Sequence, residues 1–183
     1  MDALENILNR VSARALSGPH PSKDEMDIVY KAALRAPDHA WLRTSSFIEV
    51  KKEGLDKLSK VFEDFAKEDK DVSEDIIEKY KNAPYRAPMI VILVNSYKEH
   101  PKVPAIEQKL STATAAQNIM LALNAMKYSC IWRTGKLAFN KSVQANLNLK
   151  DHQEILGYLY IGTESGEKKK IPNLDIDDFV SYL

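Results

Sequence analysis

The apolar run at residues 89–94 constrains the fold more than any other feature of the sequence. It reads Met-Ile-Val-Ile-Leu-Val and contains no polar position that could face water. Because the side chains of a strand alternate between two faces, a strand can be apolar throughout only where both faces are covered. The run is also far too short to span a bilayer. It therefore predicts a central strand with packed layers on both sides.

The hydrophobic pattern of the rest of the chain supplies those layers. Further strands are predicted at 47–51, 129–132 and 155–161, and helices at about 2–9, 22–36, 54–69, 73–82 and 104–127. The last helix is apolar on nearly all sides, so it must be buried in the core or between subunits. No repeat or linker divides the chain. We therefore predict one α+β domain over residues 1–183, with a four- or five-stranded sheet flanked by helices.

The C-terminal tail combines a polar stretch with an apolar end. Lys168, Lys169 and Lys170 precede a proline, and the chain finishes with Phe179, Val180 and Leu183 among its last five residues. An apolar end on a polar tail predicts that the tail docks somewhere. Both a partner subunit and the chain's own domain fit this pattern.

Charge and cysteine content exclude several classes of function. The chain has 26 basic and 26 acidic residues, so no overall field attracts nucleic acid or a membrane surface. Its one cysteine, Cys130, allows no internal disulfide and favours a reducing compartment. The N-terminus lacks the basic stretch and apolar core of a signal peptide. These features predict a cytoplasmic protein with no nucleic-acid or membrane partner.

The common catalytic and nucleotide-binding motifs are missing. The six glycines do not form a Rossmann fingerprint, and the P-loop spacing of Gly157 and Gly162 continues with Thr163 and Glu164 instead of lysine and a hydroxyl residue. The four histidines show no helical pairing, which argues against a zinc site. No G-x-S-x-G elbow is present for a serine hydrolase.

A first candidate cluster lies near the N-terminus. Arg10, Ser12 and Arg14 alternate with Val11 and other apolar residues, so an extended chain would send both guanidiniums and the hydroxyl to one side. In a helix, Arg10 and Arg14 would still share a face. Either arrangement places the two guanidinium groups on one side, where their N–H donors could bind a phosphate dianion. A solvated basic turn is the alternative.

Two further clusters stand at element ends. Arg35 and His39 lie in the sequence Arg-Ala-Pro-Asp-His, where a proline ends a helix. They could reach a ligand from a rigid turn, or Arg35 could cap helix carbonyls beside an exposed His39. The third cluster is an apolar strand that ends in polar residues and glycine: Ile131, Trp132, Arg133, Thr134 and Gly135. Ligands often bind at strand ends, although a strand tryptophan is more often part of the core.

Taken in order, these segments resemble the nitroreductase family, particularly its short YdjA-like branch. The similar segments cover nearly the whole chain: Met1-Asp2-Ala3-Leu4, Asn9 to Arg14, Arg35-Ala36-Pro37-Asp38-His39, Asn82 to Pro88, Lys102-Val103-Pro104, Glu107-Gln108, Ile131 to Gly135 and Gly157 to Thr163. The resemblance implies a nitroreductase-like α+β fold with a mostly antiparallel central sheet. It also implies an obligate intertwined homodimer with one FMN at each of two interface sites.

The resemblance further implies an activity and a set of FMN-binding residues. Hydride from NADH or NADPH would pass through FMN to a nitroaromatic or quinone acceptor in ping-pong order, without a catalytic side chain. Residues that would hold the phosphate and ribityl chain are Arg10, Ser12 and Arg14. Those that would line the ring are Ile131, Trp132 and Arg133, with Thr134 and Gly135 adjoining. Arg35 and His39 would reach the same flavin from the other subunit, and Lys169 or Lys170 would add a phosphate contact.

The chain departs from the family pattern at several places. Residues 41–47 replace a Gln-Pro-Trp stretch, Val11 replaces a basic residue, and Ser129 and Cys130 stand where relatives carry glycines. Side chains at 129 and 130 would crowd the flavin if they face it and would matter little if they face the core. A non-catalytic protein that binds FMN or another small ligand is therefore the alternative function.

Overall fold

The computed structural model describes residues 2–183, and Met1, where the family resemblance begins, lies outside the described residues. Its sheet has five strands, and every strand pairing is antiparallel. The strands are β1 Leu16–Ser17, β2 Ser45–Lys51, β3 Met89–Ser96, β4 Ser129–Arg133 and β5 Gln153–Glu164. Strand β3 lies between β2 and β5, while β4 and β1 pair with successive stretches of β5. The predicted central position of β3 is confirmed.

Seven helices within residues 2–183 surround this sheet. They are α1 Ala3–Asn9, α2 Lys23–Ala33, α3 Glu53–Ala66, α4 Glu74–Lys81, α5 Ala105–Ala125, α6 Lys136–Phe139 and α7 Lys141–Asn146. Short 3-10 turns lie at His39–Trp41, Ala83–Arg86 and Ile176–Asp178. The five predicted helices are all present, and a capping box of Ser22 and Glu25 begins α2. Helix α2 ends at Ala33, before the predicted end at Ala36.

The alternating side chains of β3 belong to two separate core clusters. Met89, Val91 and Leu93 pack on the side of α2 and α5. The side chains between them, such as Ile90 and Ile92, pack on the opposite side with residues of α3 and α7. Both faces of the sheet are therefore covered, which explains why the strand needs no polar residue.

Helix α5 presents a second face that this chain does not bury. Ile119 and Leu123 lie in the core, whereas Ile106 and Leu110 are exposed. Helix α1 packs on α5 through Asn6, whose side-chain amide donates to the Leu121 carbonyl at 3.0 Å. The three large apolar side chains of α1 nevertheless face solvent: Leu4, Ile7 and Leu8.

The tail leaves β5 and does not pack on the rest of the chain. Its start is fixed by a hydrogen bond from the Ser165 amide to the Ala15 carbonyl at 3.2 Å. Beyond it the apolar side chains are all exposed: Ile171, Leu174, Ile176, Phe179, Val180, Tyr182 and Leu183. Of the two expectations for the tail, packing on its own domain is wrong.

Candidate functional site

The first and third candidate clusters lie side by side. Helix α1 ends at Asn9, and Arg10 adopts an extended backbone with φ −68° and ψ 126°. The Ala13 amide then donates to the Cys130 carbonyl at 3.1 Å, which holds the segment against β4. The segment 10–14 is therefore not helical, and the extended alternative describes it better.

Arg10 carries a buried donor that has no acceptor. Its Nη1 atom is shielded from solvent and makes no hydrogen bond to any part of residues 2–183. Ser12 beside it is half-buried, and Arg14 is exposed. A buried, unpaired polar atom is costly unless a ligand or water satisfies it. The segment thus offers two guanidiniums and a hydroxyl to an external anion.

Cys130 faces the core, and its thiol is unreactive. The side chain is 3% exposed and belongs to the apolar cluster around α2 and α5. Burial raises the pKa of the thiol to about 12, although the Arg10 charge opposes that shift. The thiol therefore stays protonated and cannot crowd a ligand on the other face of β4. Its neighbour Ser129 is half-buried.

A cavity of about 460 Å³ opens where β4 ends. It is lined by all five residues of the third cluster, Ile131, Trp132, Arg133, Thr134 and Gly135, together with Lys79, Tyr80, Ala83, Arg86, Leu137, Tyr158 and Tyr160. Gly135 adopts φ +87°, which favours glycine, and directly precedes α6. The size is within the usual range of small-molecule sites.

Trp132 forms one wall of this cavity and is fixed from behind. Its indole Nε1 donates to the Leu156 carbonyl at 3.1 Å. The next residue, Gly157, has φ +144°, and a Cβ atom there would lie 2.1 Å from the same Nε1. Glycine is therefore required for the ring to lie flat against β5. Trp132 both packs on the core cluster and lines the cavity.

Arg133 lies over an aromatic ring at the cavity floor. Its Cζ atom is 5.4 Å from the ring centroid of Tyr160, and its Nε atom is buried without a hydrogen-bond partner among the described residues. Burial raises the pKa of the Tyr160 phenol, while the charges of Arg133 and Arg86 oppose that rise. Lys79 and Arg86 were not predicted as site residues. The only indication of Arg86 in the sequence is that it lies within the segment Asn82–Pro88, one of those that carry the family resemblance.

The second candidate cluster lies elsewhere on this chain. Arg35 lines a shallow crevice with Asn6, Asn118 and Leu121, and His39 donates to the Glu107 carboxylate at 2.5 Å. Within residues 2–183 no hydrogen bond or ion pair joins either residue to the Arg10 segment or to β4. A single chain does not bring the three clusters together.

The loop after His39 has an unusual backbone. Ala40, Trp41 and Arg43 all have φ between +53° and +55°, a region that non-glycine residues rarely adopt. Asp38 accepts from the Arg43 amide at 2.8 Å, and the Arg43 guanidinium lies 5.3 Å from the Trp41 ring centroid. Trp41 is 77% exposed. This strained, aromatic loop occupies the place of the Gln-Pro-Trp stretch.

Lys169 and Lys170 follow the point where the tail passes Ala15. Lys169 is half-buried and Lys170 is exposed, and neither makes a hydrogen bond or ion pair in the part of the chain that the structure describes. Lys169 stands four residues beyond Ser165, a span of at most roughly 14 Å of extended chain. The structure therefore shows where this part of the tail is attached and gives neither lysine a contact with Arg14.

Two other kinds of site were sought in residues 2–183. No group of three or more histidine, cysteine, aspartate or glutamate side chains lies close enough to bind a metal ion. No helix in the same range has the length and apolar character needed to cross a membrane.

Comparison with known proteins decides the family. A family model described as the nitroreductase family matches residues 7–163, which is most of the chain. The chain belongs to the nitroreductase family. It is 34% identical over 190 residues to YdjA of Escherichia coli strain K12, provisionally named an NAD(P)H nitroreductase, and the match covers 100% of both proteins.

Solved structures of this family share the fold. A nitroreductase-like family protein from Bacillus cereus superposes with a TM-score of 0.84 at 21% identity, covering 100% of this chain and 96% of the other. A nitroreductase with bound FMN from Bacteroides fragilis superposes with a TM-score of 0.77 at 20% identity, covering 100% and 99%. The predicted nitroreductase-like fold with an antiparallel sheet is confirmed.

Proposed function

We propose that the chain is a cytoplasmic, FMN-dependent oxidoreductase that takes hydride from NADH or NADPH and reduces a nitroaromatic or quinone acceptor. The observation that carries the proposal is the unsatisfied Arg10 Nη1, in a segment that a hydrogen bond from Ala13 to Cys130 holds against β4. Its YdjA relative is provisionally named for NAD(P)H and nitro-group reduction. The relative from Bacteroides fragilis contains FMN.

The residues present fit FMN. A phosphate dianion needs several charged donors, and Arg10, Ser12 and Arg14 provide two guanidiniums and a hydroxyl within five residues. The cavity at the end of β4 offers aromatic and apolar walls for a flat ring, with Ile131 and Trp132 on the strand itself. Cys130, which replaces a family glycine, points into the core and leaves this space free.

The side chains of the site would bind and orient, and none of them would react covalently. FMN, when bound, supplies the hydride acceptor and returns two electrons to the second substrate. Arg10, Ser12 and Arg14 would hold the phosphate, and Ile131 and Trp132 would support the ring. Arg133 would add a positive charge beside it, with Thr134 and Gly135 adjoining. The buried Cys130 thiol stays protonated and offers no competing nucleophile.

We further propose that two copies of this single domain form a homodimer. Exposed apolar side chains on α1, α5 and the tail include Leu8 at 70% and Phe179 at 70%, which is unfavourable for a monomer in water. Arg35 and His39 lie away from the β4 cavity of their own chain, so a second copy would be needed to bring them to a flavin. Lys169 and Lys170 would then complete the phosphate site from the tail.

The test is a spectroscopic titration. Purified protein is saturated with FMN, passed through gel filtration and mixed anaerobically with NADPH or NADH. The proposal expects flavin absorbance that co-elutes with a dimer and is bleached by a nicotinamide, and an added nitroaromatic or quinone should restore the colour. Retained flavin that neither nicotinamide bleaches would favour a non-catalytic flavin carrier. Protein that does not retain FMN would contradict both.

A further inference from the structure

We propose that the cavity at the end of β4 binds an aromatic carboxylate through Arg86 and Lys79, so that anionic aromatic acceptors are the preferred second substrates. This inference rests on the proposed function. It adds the chemical class of the acceptor and two residues that bind it. The step concerns binding alone, and the electrons of the reaction still come from NADH or NADPH.

The charge of the cavity is one-sided. Its lining includes Lys79, Arg86 and Arg133, and contains neither aspartate nor glutamate. This differs from the rest of helix α4, where Lys81 has a Glu78 carboxylate 3.6 Å away. Because the whole chain has equal numbers of acidic and basic residues, these three cations, of which Lys79 and Arg86 are exposed, form a local excess of positive charge that favours an anion.

The three cations also lack protein partners. None of them forms a hydrogen bond or an ion pair with any residue in the described range 2–183, and the Nε of Arg133 is buried. The guanidinium of Arg133 lies over the Tyr160 ring, and the charge of Arg86 also acts on the Tyr160 phenol. Two arginines from distant parts of the sequence therefore line the same cavity as this aromatic side chain.

The tyrosines of the cavity differ in their hydrogen bonds. The Tyr158 hydroxyl donates to the Leu137 carbonyl at 3.0 Å and is satisfied. The Tyr160 hydroxyl makes no hydrogen bond within residues 2–183, although burial excludes most solvent from the residue. It is available to donate to an anion held by Arg86. Tyr80 and Trp132 add apolar faces, so the cavity suits an aromatic ring that carries a carboxylate.

The proposed flavin does not account for these charges. Its phosphate would lie with Arg10, Ser12 and Arg14, and its oxidised ring is uncharged at neutral pH. Arg133 on β4 is the cation that the proposed function assigns to that ring. Lys79 on α4 and Arg86 on the following 3-10 turn stand on another wall of the cavity. We infer that Lys79 and Arg86 bind the carboxylate of the second substrate.

The experiment compares benzoate with benzamide, which differ in charge and little in shape. Each is titrated by calorimetry into FMN-saturated protein, wild type and variants. Arg86→Gln and Lys79→Gln should each weaken benzoate binding by about tenfold, because each loses a charged contact. Benzamide binding should not change. Arg86→Lys should keep most of the benzoate affinity, and benzoate binding should weaken with added salt.

Matched controls separate the inference from folding and from the proposed function. Lys57→Gln removes an exposed α3 lysine outside the cavity and should change neither titration. Thermal melts of each variant report folding. Equal benzoate affinity in wild type and both variants overturns the inference, as does an equal loss for benzamide. The benzoate titration needs no electron transfer, and it is repeated on FMN-free protein. Failure of the protein to bind or reduce FMN would therefore contradict the proposed function, while the benzoate titration alone decides the inference about Arg86 and Lys79.

Discussion

Replacing Arg10 with methionine tests the phosphate site with a change of charge at nearly constant side-chain length. In the ligand-free chain the Arg10 Nη1 is buried and has no acceptor. If FMN supplies that acceptor, the variant loses a hydrogen bond to a charged group, worth about 1.5–3 kcal/mol. That free energy corresponds to a rise in the dissociation constant of roughly 10- to 150-fold.

The same substitution has an opposite expected effect on the protein without FMN. A buried donor that lacks an acceptor costs about 1–3 kcal/mol, and methionine removes that donor. The free energy of unfolding of FMN-free Arg10→Met should therefore equal that of the wild type or exceed it. A structural role for Arg10 predicts the reverse, because losing a stabilising contact would lower this free energy.

Two measurements decide between these accounts. Fluorescence titration gives the FMN dissociation constant, and urea denaturation of FMN-free protein gives the free energy of unfolding. Lys57→Met, on exposed α3 surface, is the control for loss of one positive charge and should leave both values unchanged. Wild-type FMN affinity in Arg10→Met would remove Arg10 from the site and refute the reasoning.

Three other predictions concern the core, the thiol and the dimer. Gly157→Ala should lower the free energy of unfolding by about 3 kcal/mol or more in urea denaturation, since the new Cβ would lie 2.1 Å from Trp132 Nε1 at φ +144°. Gly54→Ala, whose Cβ would meet only Val50 at 3.4 Å, should be neutral or stabilising, and equal losses in both variants would contradict the packing argument. The pKa of the buried Cys130 thiol is raised to about 12 from 9.0, so the thiol stays protonated at pH 9 while an unfolded chain begins to lose its proton. Iodoacetamide at pH 9 should therefore label the unfolded protein and spare the native protein, and rapid labelling of the native protein would show that the thiol is accessible. Because only the unfolded state loses this proton just above pH 9, the free energy of unfolding should fall as the pH rises beyond 9. If the protein is a dimer, its melting temperature should rise with protein concentration. Leu8→Glu, at a side chain that is 70% exposed, should abolish that dependence. A wild-type melting temperature that does not change on dilution would count against the dimer.

The sequence predicts the layered fold well because its main elements have strong local patterns. The run at 89–94 is apolar at every position, and the two core clusters on its faces follow directly from strand geometry. Four of the five predicted helices have apolar residues at helical spacing, and the fifth, α5, is apolar on nearly all sides. Helices α6 and α7 were missed because four and six residues are too few to show a period. The two-residue strand β1 is shorter still.

The candidate site depends on contacts between residues distant in the sequence, and its prediction is correspondingly incomplete. Family resemblance brought Arg10 and Trp132 into one site, whereas spacing alone does not join Ala13 to Cys130 across more than a hundred residues. Arg86 and Tyr160 line one cavity because the 3-10 turn of Arg86 precedes β3, which pairs with β5. The local sequence pattern contains no information about which distant residues come together in the fold.

The loop after His39 shows a different limit. Non-glycine residues with positive φ, such as Trp41 and Arg43, are rare enough that no local rule predicts them. Here a hydrogen bond within the loop accompanies the conformation, because the Asp38 carboxylate accepts from the Arg43 amide. The sequence showed that this loop lacks the family's Gln-Pro-Trp stretch. It did not show that the loop has a strained backbone with Arg43 over the Trp41 ring.

Anaerobic reduction of the FMN-saturated protein tests the central proposal most directly. The absorbance of gel-filtered protein is followed while NADPH or NADH is added without oxygen. The account predicts flavin absorbance that elutes with the protein and disappears in proportion to the nicotinamide added. Flavin absorbance that persists in the presence of both nicotinamides, or protein that elutes without flavin, would contradict it.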